Sequence, residues 1–157
     1  MKKLLSITLA LVMVLSVSIT AFAGTVEQDS NPKTSDAEIT TSIAPTYTVT
    51  IPADVNVAFN ATSTSFGKIE VTAAQLNPDK CIKVVLTTDG TLNNTVDATK
   101  VIPYTVNAGA SAFTYATYLA AGDKTDLTIN ITQDDWNSAY AGDYTDTVTF
   151  EVSYINK

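Results

Sequence analysis

From Ile39 onward the chain alternates apolar and polar residues with a period of two. Ile39, Thr41 and Ile43, then Tyr47, Val49 and Ile51, share one parity, with Thr40, Ser42, Thr46, Thr48 and Thr50 on the other. Ile69 and Val71 alternate with Lys68, Glu70 and Thr72, and Ile82, Val84 and Leu86 follow. Next come Ile102, Tyr104 and Val106, then Leu127, Ile129 and Ile131, and finally Val148, Phe150, Val152 and Tyr154. This pattern places apolar side chains on one face of a strand and polar ones on the other. Threonine suits the outer face, because its branched Cβ fits the pleat while its hydroxyl stays in water.

Turn signals separate the runs: Asn77-Pro78-Asp79, Asp89-Gly90, Asn107-Ala108-Gly109, Gly122-Asp123 and Gly142-Asp143. An all-β fold follows, a two-layer antiparallel sandwich of about seven strands. One short helix is expected, capped by Asp134, running from Trp136 to Tyr140 and ended by Gly142. The first alternation, Ile39 to Ile51, exceeds the usual strand of about five or six residues, and Pro45 divides it. One strand kinked at Pro45 and shared by both sheets accounts for it. Alternatively, Glu38–Ile43 adds to the sheet edge of a neighbouring copy, with Ile39, Thr41 and Ile43 as the strand-addition residues.

The first 23 residues read differently. Two lysines precede a nearly unbroken apolar run from Leu4 to Val17, and Ala21-Phe22-Ala23 precedes Gly24. That is the order of a secretory signal peptide, residues 1–23, cut between Ala23 and Gly24. Gly24 to Asp36 is polar and without period, a flexible leader, and residues 37–157 form the sandwich domain. The expected location is secreted, either extracellular or held non-covalently at the surface of a Gram-positive cell. No integral membrane segment is expected after cleavage.

Composition narrows the partners. After Gly24 there remain seven lysines against sixteen carboxylates, a net charge of −9, and the chain has neither Arg nor His. Nucleic acid needs clustered cations to displace its counterions, so it is excluded as a partner. Cell-wall or matrix components, or copies of the chain itself, are the partners expected. The single Cys81 allows no internal disulfide and, opening an apolar run, reads as a buried small hydrophobe.

Catalytic chemistry has few carriers. Without His, the usual general base and the commonest zinc ligand are both missing, and no Gly-rich phosphate cradle exists. No catalytic, cofactor-binding or metal residue is assigned, and the protein is expected not to be an enzyme. The carboxylate pairs Asp123 and Asp126, Asp134 and Asp135, and Asp143 and Asp146 lie near turns, where Asp bonds its own backbone. Aromatics remain. Tyr115 and Tyr118 fall in a loop, Phe113–Leu119, and Trp136 and Tyr140 in the helical turn. Exposed together, Trp136 and Tyr140 would stack on sugar rings, making the domain a carbohydrate-binding module. Otherwise Trp136 plugs one end of the sandwich.

The stretch Leu127-x-Ile129, a helical turn, then Gly142-x-Tyr144 before a final long strand resembles the tyrosine corner of immunoglobulin-like (Ig-like) sandwiches. That resemblance implies an Ig-like fold. Ala141 to Phe150, AGDYTDTVTF, also resembles the last strand of secreted, pilin-like domains of the spore coat protein U type and the end of Trp-x-Leu wall-binding domains. The first implies a subunit of surface fibres and the second non-covalent attachment to peptidoglycan. Phe150-Glu151-Val152 stands where Trp-x-Leu would be, and coat protein U cysteines are missing. Tyr47-Thr48-Val49-Thr50-Ile51-Pro52-Ala53 resembles small surface proteins of Gram-positive anaerobes. The reading as a whole is a non-catalytic structural or adhesive protein that acts through sheet edges and loops.

Overall fold

Period-two runs rich in Val, Ile, Thr and Tyr become strands wherever a neighbour can take up their backbone groups. The computed structural model describes residues 24–157; the signal peptide expected over residues 1–23, with its cut after Ala23, lies outside the described residues. The chain divides into two units at Ser42/Ile43. In the first, residues 24–42 carry one turn, Glu27–Ser30, and no helix or strand. Ile39 to Pro45 is likewise not in a strand. The expectation of a single kinked strand from Ile39 to Ile51 is therefore corrected: pairing begins only at Thr46, one residue after Pro45, whose ring nitrogen cannot donate.

In the second unit a five-stranded antiparallel sheet has the order β1-β2-β9-β6-β7. Its strands are β1 (Thr46–Thr50), β2 (Ser63–Gln75), β6 (Thr105–Ala108), β7 (Ser111–Ala112) and β9 (Lys124–Asn130). A second sheet has the order β11-β3-β8, from β3 (Lys80–Thr87), β8 (Tyr115–Tyr118) and β11 (Thr149–Asn156). A small third sheet, β10-β4-β5, joins β4 (Thr91–Asn94), β5 (Val101–Pro103) and β10 (Tyr144–Thr145).

Eleven described strands thus replace the seven expected. The run Ile102–Val106 is cut at Tyr104: β5 belongs to the small sheet and β6 to the five-stranded one. Tyr115–Tyr118, expected as loop, pairs with β3 from Ile82 to Val85. Phase also slips within β2. A register shift between Ser65 and Gly67, with Gly67 at φ +103°, lets Phe66 and Ile69 both face inward although their spacing is odd.

The inner faces of the sheets meet in one core. β2 supplies Phe66, Ile69 and Val71, β3 supplies Ile82, Val84 and Leu86, and β9 supplies Leu127 and Ile129. Seven aliphatic side chains are almost completely enclosed, Ile69, Ile82, Ile102, Leu127, Ile131, Val71 and Val84. At about 1.5–3 kcal/mol each, they supply much of the force that closes the sandwich-like body. Cys81, on the opposite parity of β3, is nevertheless buried and free, as its apolar setting suggests.

The helix, α1 (Gln133–Ser138), starts and stops earlier than expected. Its cap is Thr132 and not Asp134: the Thr132 hydroxyl accepts from the Asp135 N–H at 3.1 Å, the third residue onward, where a cap oxygen reaches best. Trp136 points from this helix into the end of the core, 8% exposed. Among the described residues no helix is long and apolar enough to cross a membrane.

Candidate functional site

The least finished part of the body lies along β11. Its Val148-side continuation and its own residues Phe150, Val152 and Tyr154 share the parity that faces the core. On the adjoining strand the inward side chains Ile82, Val84 and Leu86 are 0–9% exposed. On β11 none reaches that cover. Val152, paired with fully buried Val84, is still 36% exposed. The difference arises because β3 has strands on both sides, whereas no described strand pairs with the other edge of β11.

Opposite this edge run β1 and the residues after it. The rings of Tyr47 and Tyr154 meet at 5.9 Å between centroids, so β1 passes the far end of β11. After Thr50 the chain leaves the ladder. Residues 51–59 form no strand, yet Ile51, Ala53, Val55, Val57 and Phe59 keep a period of two. Ile51 and Val55 are exposed, and Val57 packs on the core.

A cleft of about 600 Å³ separates Ile51–Val57 from Thr145–Phe150, and its floor reaches Phe66, Leu92, Tyr104 and Ile129. A second cleft, about 820 Å³, continues toward Phe59, Trp136, Tyr140 and Asp143. The clefts share Val55, Val57, Leu92, Thr145 and Asp146.

Two hydrogen-bonded devices hold the β10–β11 wall in place. The Tyr144 hydroxyl donates to the Tyr140 carbonyl at 2.9 Å, which pins the corner before the last strand. Further along, the Tyr104 hydroxyl donates to the Asp146 carboxylate, and Thr88 Oγ1 lies 2.7 Å from Tyr104 Oη and donates to Asp146 at 3.1 Å. Burial, then the bond to Asp146, push the Tyr104 hydroxyl up to about 12, so this donor stays protonated through the physiological range.

Of the other carboxylates singled out from sequence, Asp126 lies within β9, and three serve a turn or the start of α1. Asp123 accepts from the Leu119 and Ala120 N–H groups at 2.7 and 3.0 Å, which hold its carboxyl below the usual range. Asp134 and Asp135 occupy the first turn of α1, where negative charge is favoured. Asp143 offers its carbonyl to Thr95. Among the described residues no three or more His, Cys, Asp or Glu cluster as a metal site would require.

Of the four aromatics, Trp136 and Tyr140 both line the larger cleft. Trp136 is buried, its indole N–H donates to the Ala61 carbonyl at 2.9 Å, and Phe59 meets it edge-on at 5.6 Å. Tyr140 is 63% exposed, with Lys100 Nζ 4.7 Å from its ring centroid. Tyr118 is buried and Tyr115 exposed beneath Lys83. Ile39 and Ile43 are 97% and 64% exposed, and Thr41 is exposed as well.

Sequence reasoning stopped the first alternation at Ile51 and so missed the cleft wall 51–59, although the same parity runs on to Phe59. The cluster of Thr88, Tyr104 and Asp146 carries no sequence signal, since its members come from three separate links between strands. Comparison of the chain with protein-family models and with curated proteins finds no match.

Proposed function

We propose that this protein is an exported, non-catalytic structural or adhesive subunit built on an Ig-like sandwich. It works at the cell surface or in the extracellular matrix, through sheet edges and loops, and associates with copies of itself. The observation that carries this reading is the open β11 edge, where the backbone groups that point away from β3 have no described strand partner and the inward Val152 stays 36% exposed. Exposed edges of this kind take up further strands.

The strand order supports the Ig-like assignment. β1-β2-β9-β6 follows the order A-B-E-D, and β3 beside β11 follows C beside F. The bond from Tyr144 back to Tyr140, ahead of β11, supports the same reading by its likeness to the tyrosine near the start of strand F. Export is supported by the charged, apolar and small-residue order of residues 1–23. The acidic balance directs the choice of partners away from nucleic acid and toward protein or wall polymer.

Light scattering on the chain from Gly24 to Lys157, over a hundredfold range of concentration, tests self-association. Multiples of the monomer mass are the expected result. A monomer at every concentration would remove it, and binding to isolated wall material would then leave only the adhesive part of the reading.

A further inference from the structure

We infer that the larger cleft binds a neutral glycan, with Phe59 and Tyr140 as stacking rings and Asn60, Asn137 and Asp143 as the groups that read its hydroxyls. The inference rests on the adhesive part of the function proposed above and names the chemistry of what is held. Phe59 is 76% exposed and Tyr140 63%, and both line this one cleft, with the buried Trp136 between them and the core. Its volume of about 820 Å³ falls within the roughly 300–1,000 Å³ of small-molecule sites.

A single aromatic on a protein surface is ordinary. These two differ in how they are mounted. Phe59 stands on a turn closed by the Ala61 N–H, which donates to the Ala58 carbonyl at 3.0 Å. Asn60 completes that turn at φ +63°, a left-handed conformation that Asn tolerates, and the Trp136 indole holds the Ala61 carbonyl at 2.9 Å. Tyr140 follows the end of α1, where the Ala139 N–H donates to the Trp136 carbonyl at 3.3 Å. Its own carbonyl accepts from the Tyr144 hydroxyl at 2.9 Å. Lys100 Nζ lies 4.7 Å from the Tyr140 ring centroid, yet Lys100 is not part of the cleft wall, so the ammonium backs the ring from outside. Both rings are thus presented on fixed backbone, which spares a ligand the entropy of ordering a loop.

The polar groups of the wall supply both halves of a hydroxyl's bonding. Gln133 Nε2 donates to Asn137 Oδ1 at 3.2 Å and to Asn60 Oδ1 at 3.5 Å. Both asparagines therefore keep their NH₂ groups as donors with no partner among the described residues. The Thr95 N–H takes the Asp143 carbonyl, but the Asp143 carboxylate accepts no hydrogen bond among the described residues. A sugar hydroxyl donates and accepts at once, so neighbouring hydroxyls can meet a carboxylate and an amide together. The C–H faces of the same ring lie on the aromatics. An anionic ligand would face Asp143 and Asp146 with no lysine in the wall. A purely apolar one would strip water from the amides and the carboxylate with no bond in return. Because the cleft continues into its smaller neighbour, it suits a chain of sugar units better than a single one.

The test is electrophoresis of the chain from Gly24 to Lys157 through native gels that contain a polysaccharide, each compared with a plain gel. Galactomannan, mixed-linkage β-glucan, xyloglucan and dextran serve as neutral probes, and polygalacturonate as the anionic one. Retardation by at least one neutral polymer, and none by polygalacturonate, is the expected result. Phe59→Ala and Tyr140→Ala should each weaken binding roughly tenfold, as truncating a central ring of a contact does, and Tyr140→Trp should retain it. Both rings are exposed, so the thermal midpoint of each variant should stay close to wild type. Tyr140→Ala decides alone if Phe59→Ala, which also loses the contact with Trp136, does not fold. The site is overturned by a wild type that no neutral polymer retards, by retardation in polygalacturonate, or by retention that Tyr140→Ala leaves unchanged. Light scattering on the same sample keeps the two readings apart. A monomer that the gel retards removes self-association alone, and an oligomer that no gel retards removes the glycan site alone.

Discussion

Replacing Trp136 by alanine tests whether this side chain closes the end of the sandwich. The residue is 8% exposed, so roughly nine-tenths of a side-chain surface near 200 Å² leaves water on folding. At about 25 cal/mol per Å² that burial is worth about 4 kcal/mol, and large aromatic-to-alanine changes in cores cost about 3–5 kcal/mol. The Ala61 carbonyl also loses its 2.9 Å partner, and Phe59 loses the ring it meets edge-on. Trp136→Ala should therefore destabilise by about 4 kcal/mol. With a urea slope near 1.5 kcal/mol per M, the midpoint would fall by about 2.5 M. Circular dichroism should follow the transition, because the variant lacks the chain's one tryptophan. Trp136→Phe should recover most of the loss and leave about 1 kcal/mol for the missing hydrogen bond. A loss below about 1 kcal/mol for Trp136→Ala would refute the end-plug, and with it the account of α1 as a structural element.

Two further outcomes follow from backbone geometry and protonation. Gly142 has φ +145°, and a Cβ there would sit 2.5 Å from Asn94 Nδ2. Asn94 is buried and its Oδ1 accepts from the Val96 and Asp97 N–H groups, so it cannot yield without loosening that turn. Gly142→Ala should cost about 2–3 kcal/mol, whereas Gly109→Ala, at φ +61° in open space, should cost only about 1 kcal/mol; equal effects in thermal melts would show that Asn94 does not obstruct. Tyr104, whose hydroxyl is pushed up to about 12, favours the folded state while neutral. Its contribution is complete below the unfolded value near 10 and is lost as pH rises from there through about 12. Absorbance at 295 nm should show a late-ionising tyrosine that Tyr104→Phe removes, and a single wave near pH 10 in both proteins would count against the Thr88–Tyr104–Asp146 cluster.

The body of the sandwich was legible where burial is one-sided. Leu127 and Ile129, or Ile82, Val84 and Leu86, alternate strictly because one face meets the core and the other meets water. Phase was not legible at Gly67, since the shift that turns both Phe66 and Ile69 inward depends on how β9 pairs with β2. Nor was the cut at Tyr104, where an unbroken alternation passes from one sheet to another. Trp136 could be read as plug or platform, and its burial beside the Ala61 carbonyl, 75 residues away in sequence, is a tertiary matter. The cleft was half visible. Its wall continues the parity of Ile51, but an unfilled edge appears only when strands are counted in space.

The pairing of β11 with β3 joins residues separated by about 70 positions, Phe150 with Leu86 and Val152 with Val84. Loop closure over such a distance comes before any reward from contact, which makes sheets of this kind slow to form. Until β11 has been made, the inner face of β3 lacks one flank and the core stays open. In a nascent chain this pairing forms only once the last strand has emerged. Under the export proposed above, such a delay would let the chain thread a narrow channel first and acquire its shape on the far side.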